Sequence, residues 1–332
     1  MTRAGFVSSS VYWPWERQFP NGRPVWGDVE FVFEGDFDTC DVFCVFDAMP
    51  EGLSGRVQSK YSVFVASEPE SVRKYNRVFL SQFDCVLTTD SGTRHHNVVF
   101  GQVGLPWHIG VYDGQGQHLD RPMTYNDFQS FAPEKDRLIS VVSSDKAFTA
   151  GHRERLEFVD AMKRYFGSEV DYFGRNTNGF GDKTEVLSRY RYHIAIENCN
   201  YRDYWTEKLS DPILSLTYPL FHGCPNIADY FAPDTLTHVD IKDHQAALKT
   251  IKRIIESDVS ERARSSLIEA RRKVLDEYNL FAVLARIVAE ARPSEVRPRR
   301  IYSESHVRGG RKRLMQAKNL FAPKRFKTPS QF

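Results

Sequence analysis

A short, mostly apolar run, Tyr192–Ile196, stops at two polar residues, Glu197 and Asn198. A run of this length, bounded in this way, predicts a buried strand. A polar and aromatic loop follows it, and Thr206–Lys208 stands at the start of a predicted helix. In open α/β sheets, ligands bind beyond the carboxyl ends of strands, where helix N-termini present N–H groups. The segment therefore predicts an α/β fold with a binding site at this strand end.

The same alternation of strand and helix signals runs along most of the chain. Apolar runs predict strands, and apolar residues at helical spacing predict helices. The other predicted strands are Val29–Phe33, Val42–Phe46, Tyr61–Ala66, Asp84–Thr89, Arg137–Ser143, Val170–Phe173, Leu216–Phe221 and Leu236–Val239. The predicted helices are Ser71–Gln82, Gly151–Phe166, Asp182–Ser188, Gln245–Ile255 and Ser260–Glu290. Strands that alternate with helices indicate parallel sheets.

Residues 113–135 are rich in Gly, Gln, Asp, Pro and Asn, show little periodicity, and divide these signals into two groups. We therefore predict an N-terminal α/β domain at 1–120, an interdomain linker at 121–135, a C-terminal α/β domain at 136–290 and a basic tail at 291–332. A chain of 332 residues is long enough for two domains. No GxGxxG follows the first predicted strand, which argues against a dinucleotide-binding Rossmann domain.

Charge is distributed unevenly along the chain. The net charge is +2, but residues 291–332 hold 12 Lys and Arg against 2 acidic residues, so the rest of the chain carries −8. A basic segment with interspersed Leu and Phe favours contact with an anionic membrane surface. Contact with nucleic acid is less favoured, because the body of the chain carries no nucleic-acid motif, and a disordered solubilising tail is a further alternative.

The sequence shows no apolar stretch typical of a secretory signal or a transmembrane helix. The five cysteines are scattered without C-x-x-C spacing, which is typical of reduced thiols. These features predict a cytoplasmic protein, soluble or peripheral at the inner face of the membrane.

A dense pattern of charged and aromatic positions covers residues 172–239. It comprises Y-[KR]-[FY]-x-x-x-x-E-N from Tyr190, D-Y-x-T-E-K from Asp203 and P-x-x-x-G from Pro219. This pattern resembles the donor-binding half of the α-1,3-fucosyltransferases of glycosyltransferase family 10, in their bacterial type. The resemblance implies a GT-B fold, with two Rossmann-like domains facing across a cleft. It also implies that the first domain holds the acceptor and the general base, and the second holds the nucleotide sugar.

The family's general base is thought to be a Glu in an E-S-P-like segment after a strand of the first domain. The segment at this place in the chain is Ser67–Ser71, with the sequence SEPES, so two acids fit the pattern. Glu68 is the preferred base and Glu70 the alternate, because Glu70 is better placed to stabilise the N-terminus of the following helix.

Residue chemistry and the resemblance together assign donor-binding roles in the second domain. Arg175 and Lys208 would hold the diphosphate, since a guanidinium can clamp its oxygens and an ammonium neutralises their charge. Asn198 would donate to phosphate, and Glu207 would accept from ribose or sugar hydroxyls. Tyr204 would pack near the nucleobase or ribose of the donor. No D-x-D motif stands at a strand end, so neither a divalent metal nor another cofactor is expected.

Two local questions stay open at this level. Glu197 either takes part in function or fixes its loop. Pro212 would break or kink a helix that starts at Thr206, unless Ser210 caps a new helix there.

The resulting hypothesis is an inverting transfer of L-fucose from GDP-β-L-fucose to a hydroxyl of a glycan or lipid-linked glycan acceptor. A single displacement with one carboxylate base gives inversion. One alternative is a GT-B transferase that uses another nucleotide sugar. A second is a non-catalytic glycan- or nucleotide-binding protein on the same scaffold, and a third is an enzyme that glycosylates nucleic acid and is anchored by the tail.

Overall fold

The computed structural model describes residues 1–10, 12–143, 150–174, 178–292 and 299–309. Its strands are β1 (Thr2–Ser8), β2 (Val25–Trp26), β3 (Val29–Val32), β4 (Val42–Phe46), β5 (Gln58–Ser59), β6 (Ser62–Val65), β7 (Cys85–Thr88), β8 (Val98–Phe100), β9 (Arg137–Val142), β10 (Asp171–Phe173), β11 (Tyr190–Ile196), β12 (Tyr218–His222), β13 (Thr237–His238) and β14 (Arg299–Arg300). Its α-helices are α1 (Arg77–Leu80), α2 (Tyr125–Ser130), α3 (Ala150–Phe166), α4 (Lys183–Leu187), α5 (Glu207–Leu214), α6 (His244–Ile255), α7 (Val259–Arg262), α8 (Arg264–Asp276) and α9 (Leu280–Glu290). Residues 304–309 are also helical.

Two mainly parallel sheets organise these elements. The first has the strand order β2-β3-β1-β4-β6-β7-β8, and its edge pair β2–β3 is antiparallel. The second has the order β10-β9-β11-β12-β13, and its strands pair in parallel. The predicted α/β fold with two Rossmann-like units is thus confirmed. Because the strands of each sheet, apart from β2, run in the same direction, their carboxyl ends share one edge.

The strands predicted from apolar runs all form, with ends shifted by one or two residues. Strand β1 was not predicted, although it lies between β3 and β4 near the middle of the first sheet. Its small residues interrupt the apolar run, and the packing requires them. A Cβ placed on Gly5 would lie 2.8 Å from the ring of Phe37 and 3.0 Å from that of Phe43.

Two predicted helices are shorter or more divided than expected. The prediction Ser71–Gln82 is wrong in its first part, because the α-helix begins only after Asn76, whose side chain caps α1. The prediction Ser260–Glu290 divides into α7, α8 and α9, and the side chain of Asn279 caps α9. An amide that accepts from backbone N–H groups fixes a helix start locally, and periodicity alone does not locate it.

The stretch predicted as an interdomain linker is a packed connection. Within it and just before it, Trp107 and Phe128 are buried in the same apolar cluster as Leu209 and Phe221 of the second unit. The buried Arg17 of the first unit donates hydrogen bonds to the backbone carbonyl of Met123 in this stretch and to two carbonyls before it, those of Trp107 and Ile109, at 2.6–2.8 Å. The connection is therefore held against both units.

The end of the described chain returns to the first sheet. Leu280 and Phe281 of α9 lie in the same apolar cluster as Phe6 of β1. Ile301 is buried in the cluster on the other face of that sheet, and β14 pairs with β5. The boundary predicted at 290/291 is therefore corrected: α9 and residues 299–309 pack with the first unit, because their apolar side chains complete its core.

The remainder of the predicted basic tail, residues 293–298 and 310–332, lies outside the described residues. Its contact with an anionic membrane surface, or with nucleic acid, stays a prediction, and so does a cytoplasmic or peripheral location. Across the described ranges, no helix is both long and apolar enough to span a bilayer.

Candidate functional site

A cavity of about 430 Å³ lies between the segment that follows β6 and the carboxyl end of β11. Glu68 reaches it from the first unit, and Asn198, Glu207 and Lys208 reach it from the second. These are four of the side chains that the sequence predicts for one site. Arg175, the other predicted diphosphate ligand, lies outside the described residues.

Glu68 and Tyr204 join the two units at the cavity. The buried hydroxyl of Tyr204, a residue of the loop between β11 and α5, donates to Glu68 Oε2 at 2.7 Å. Burial raises the pKa of Glu68 above its usual value, while the Tyr204 hydrogen bond and the charge of Lys208 act in the opposite direction. A carboxylate with a raised pKa holds a proton more readily, which suits a general base. Tyr204 therefore contacts the predicted general base, and its packing near the nucleobase or ribose stays a prediction.

The second acid of the SEPES segment points elsewhere. Glu70 forms an ion pair with Lys74 and its side chain is about half exposed (48%). Unlike Glu68, it is not among the residues that line the 430 Å³ cavity. The geometry therefore favours Glu68 of the two candidates.

Buried Glu197 anchors the start of α5. Its Oε1 accepts from the backbone N of Thr206 at 2.7 Å and from Thr206 Oγ1 at 2.9 Å. Lys208 Nζ lies 3.5 Å from Glu197 Oε2. A Cβ on Gly223 would lie 2.6 Å from Glu197 Cγ, so the glycine of the P-x-x-x-G pattern makes room for this side chain. Of the two open interpretations of Glu197, the contacts support the one in which it fixes the loop.

Helix α5 presents two of the predicted donor ligands from its first turn. Thr206 caps it by accepting from the backbone N of Lys208. The helix continues through Pro212 and ends at Leu214, so the alternative in which Ser210 caps a second helix is wrong. Pro212 costs the helix one backbone hydrogen bond, and the helix ends two residues later.

Lys208 and Glu207 are held in an ionised state by each other. Lys208 Nζ lies 3.3 Å from Glu207 Oε1. Burial alone would lower the pKa of Lys208, but Glu207 and Glu197 outweigh it and raise the pKa above its usual value. Burial alone would also raise the pKa of Glu207, but Lys208 and Lys183 hold it well below its usual range. Both charges are therefore present at neutral pH.

A second lysine approaches the cavity from α4. Lys183 Nζ lies 2.7 Å from Asp211 Oδ2 and 3.7 Å from Glu207 Oε1. Asp211 is fully buried and also accepts from the backbone N of His108 at 3.1 Å. Burial raises the pKa of Asp211 to about 6, and Lys183 opposes that rise. The ion pair ties α4 to α5 and holds Lys183 at the cavity wall.

Helix α3 contributes a third cation. Arg155 Nη1 donates to Asn198 Oδ1 at 2.7 Å, and both residues line the cavity. The helix approaches the strand end closely, since a Cβ on Gly151 would lie 2.0 Å from the carbonyl oxygen of Asn198. Arg155, Lys183 and Lys208 therefore line the cavity together with the carboxylates of Glu68 and Glu207. Two further carboxylates, Glu197 and Asp211, lie against Lys208 and Lys183.

Burial favours the neutral form of His193, one of the two histidines that line the cavity. His193 Nδ1 lies 2.8 Å from Ser140 Oγ, whose hydroxyl donates to the carbonyl of Val186. Burial lowers the pKa of His193 to about 3, and the charge of Lys183 lowers it further. His193 therefore adds no charge to the site. In the part of the chain that the structure describes, His, Cys, Asp and Glu side chains form no group of three or more that could hold a metal ion.

Sequence comparison finds a family similarity in the second unit. Residues 132–264 match the profile of glycosyltransferase family 10 (fucosyltransferase), C-terminal part. The match covers less than half of the chain, and it shows that this region is similar to family 10. The matched residues include β9 to β13 and every second-unit residue described above at the cavity.

Several curated proteins share stretches of 81 to 234 residues with the chain. A fucosyltransferase-like protein of Arabidopsis thaliana is 25% identical over 234 residues, which cover 67% of this chain and 41% of that protein. The α-(1,3)-fucosyltransferase FucT of Helicobacter pylori is 37% identical over 81 residues, or 24% of this chain and 17% of the relative. A 4-galactosyl-N-acetylglucosaminide 3-α-L-fucosyltransferase of Homo sapiens is 35% identical over 91 residues, or 24% and 25%. The chain thus spans less than half the length of the relatives it matches. They include plant, bacterial and animal proteins, so the bacterial type stays a prediction.

Solved structures of similar architecture carry fucosyltransferase names. An α1,3-fucosyltransferase crystal structure aligns with 84% of this chain and 91% of its own, at 16% identity and a TM-score of 0.45. An α1,3-fucosyltransferase structure with GDP-fucose aligns with 99% and 93%, at 16% identity and a TM-score of 0.43.

Two cavity residues escaped the sequence prediction although one left a signal. Arg155 precedes Phe158 and Met162 on the buried face of α3, where an arginine is unusual and needs a partner. Lys183 gives no such signal, because a lysine in the first turn after a Gly- and Asn-rich loop is ordinarily exposed. The place of Lys183 at the cavity depends on Asp211, a residue of another helix.

Proposed function

We propose that the protein is an inverting glycosyltransferase that moves L-fucose from GDP-β-L-fucose to a hydroxyl of a glycan or lipid-linked glycan, in an α-1,3-type linkage. One observation carries the proposal: a single cavity joins Glu68 of the first unit to Asn198, Glu207 and Lys208 of the region similar to family 10. The fucosyltransferase names of the family and of the relatives support fucose as the transferred sugar.

The acceptor is activated by Glu68 in this mechanism. Tyr204 engages Glu68 Oε2, so Oε1 is the oxygen offered to the acceptor hydroxyl. As the acceptor oxygen bonds to the anomeric carbon, its proton moves to Glu68 and the bond from that carbon to the β-phosphate oxygen breaks. The acceptor attacks from the face opposite to GDP, so the configuration inverts.

The departing GDP gains negative charge, and the second unit supplies the compensating cations. Lys208, Lys183 and Arg155 line the cavity, and each is held in place by a hydrogen bond or ion pair before the donor arrives. Preorganised charges stabilise a developing charge without reorganisation during the reaction. We propose that they act without a divalent metal, and that Arg175 adds a further cation.

The two principal alternatives use the same cavity differently. The lysines and Arg155 would serve any nucleotide diphosphate sugar, so a different donor is compatible with these contacts. A non-catalytic binding protein would not need a buried carboxylate of raised pKa facing the donor residues, and the position of Glu68 favours an enzyme.

Binding of a panel of nucleotides tests the donor. We expect GDP and GDP-fucose to raise the unfolding temperature by several degrees in a buffer that contains a chelator, and UDP-sugars not to. Ligand at about 100 times its Kd stabilises by about 2.7 kcal/mol. Lys208→Met should lose this shift, whereas Lys242→Met, at an exposed lysine of the second unit, should keep it. A shift with UDP-sugars, or a shift that needs a divalent metal, would contradict the donor or the metal-free proposal respectively.

The Tyr204–Glu68 hydrogen bond predicts a change in the pH profile of transfer. The hydroxyl of Tyr204 stabilises the ionised carboxylate and so lowers the pKa of Glu68. In Tyr204→Phe this pKa rises further, and a larger fraction of Glu68 is protonated at a given pH. We therefore expect the acidic limb of kcat/KM to move to higher pH.

The matched control for this profile is Tyr165→Phe, at a half-exposed tyrosine of α3, which should leave the acidic limb in place. An acidic limb that does not move in Tyr204→Phe would mean that Glu68 is not the group that titrates.

A further inference from the structure

A second groove, of about 1200 Å³, lies on the first unit between the segments that follow β6 and β7. Four cationic side chains line it: Lys74, Arg77, Arg94 and Arg308. The described residues that line it include no Asp or Glu. Three of these cations belong to the part of the chain outside residues 291–332, which carries a net charge of −8.

Two of these four cations have no ion-pair partner among the described residues. Lys74 pairs with Glu70, and Arg308 pairs with Glu304. Arg77 and Arg94 are exposed, and neither forms an ion pair with any residue in the described ranges. Exposed guanidinium groups that face one groove suit an oxyanion, which they can hold with paired N–H groups.

The groove and the candidate donor cavity share one chain segment. Glu68 and Val72 line the cavity, whereas Lys74 and Arg77 line the groove. Tyr75 lies between them: its hydroxyl is 3.4 Å from the backbone N of Glu68, and its side chain lines the groove. Lys74 follows Glu68 by six positions, a contour of at most about 20 Å. An acceptor hydroxyl at Glu68 therefore leaves the rest of a short oligosaccharide within reach of the groove.

We propose that this groove binds a phosphate or diphosphate group carried by the acceptor, so that the preferred acceptors are phosphate-bearing glycans and not neutral ones. The inference rests on the proposed function, since it treats Glu68 as the site of acceptor activation.

The test measures binding of three probes to protein saturated with GDP, which keeps phosphate groups out of the donor cavity. The probes are neutral N-acetyllactosamine, its 6-phosphate, and the same disaccharide linked through a diphosphate to a short soluble prenyl chain. We expect at least one charged probe to bind about tenfold more tightly than the neutral one. The comparison of the two charged probes shows whether the phosphate comes from the sugar or from a lipid carrier. The preference should shrink as salt rises from about 0.02 M to about 0.3 M, because screening weakens exposed charge pairs.

The double variant Arg77→Glu/Arg94→Glu should lose this preference and keep GDP binding. The charge-matched control Lys242→Glu/Lys249→Glu, at exposed lysines of the second unit, should keep both. Equal affinities for charged and neutral probes in a protein that still binds GDP would overturn the inference and leave the proposed function intact. A preference that survives in the Arg77/Arg94 variant, or tighter binding of a single-stranded oligonucleotide than of either charged probe, would also overturn it. If the unaltered protein does not bind GDP, the result would instead count against the proposed function.

Discussion

We expect Glu68→Gln to slow transfer strongly and to leave donor binding unchanged. We expect kcat to fall by about 10²–10⁴-fold, the usual contribution of a positioned general base. Gln keeps the shape of the side chain and an oxygen that can accept from Tyr204, so the structural contact at 2.7 Å survives. The amide, however, cannot take the acceptor proton. Transfer is measured by release of GDP in the presence of acceptor, and binding by the rise in unfolding temperature with GDP.

The neighbouring acid provides the control for this experiment. Glu70→Gln removes a half-exposed side chain that pairs with Lys74 and does not line the cavity, so transfer should stay within a few-fold of the unaltered rate. Transfer by Glu68→Gln at a rate within tenfold of the unaltered protein would place the base elsewhere. Collapse of transfer in Glu70→Gln alone would reverse the assignment of the two acids.

Glu197→Ala is expected to be the most destabilising single change at the site. The carboxylate is fully buried and accepts from both the backbone N–H and the hydroxyl of Thr206. Its removal leaves those two donors without an acceptor. It also leaves Lys208 with one nearby carboxylate, that of Glu207, instead of two. Breaking a buried charged contact of this kind costs about 3–5 kcal/mol. Equilibrium unfolding in urea should show the loss as a lower free energy of unfolding.

Glu256→Ala is the matched control for stability. Glu256 pairs with Lys252 on the exposed surface of α6, and a pair of that kind contributes at most about 1 kcal/mol. If Glu197→Ala also changed the free energy of unfolding by less than about 1 kcal/mol, Glu197 would not anchor the loop, and a direct role in function would become the better interpretation.

Apart from Glu68, which the family resemblance supplied, the part of the site that the sequence predicted is built from one continuous segment. Asn198 ends β11, and Glu207 and Lys208 begin α5 a few residues later. An apolar run that ends in polar residues fixes a strand end, and a Thr at a helix start fixes the first turn. Local chemistry was therefore sufficient to bring these three side chains to one place.

The residues that the sequence did not predict depend on contacts between distant segments. Lys183 is held at the cavity by Asp211, 28 positions later, and Arg155 reaches Asn198, 43 positions later. Periodicity says that one face of a helix is buried but not which surface covers it. The same limit explains α9: its apolar pattern indicated a buried helix, but not that it returns to the first sheet.

The return of the chain to its starting sheet has a consequence for synthesis. The first unit needs Leu280, Phe281 and Ile301 to complete its two apolar clusters, and these residues leave the ribosome long after β1 to β8. The apolar surface of that sheet is therefore expected to stay exposed until the second unit has been synthesised. The protein's dependence on chaperones is expected to increase with temperature, because the exposed apolar strands then aggregate faster. A fragment that ends at residue 120 is not expected to be stable by itself.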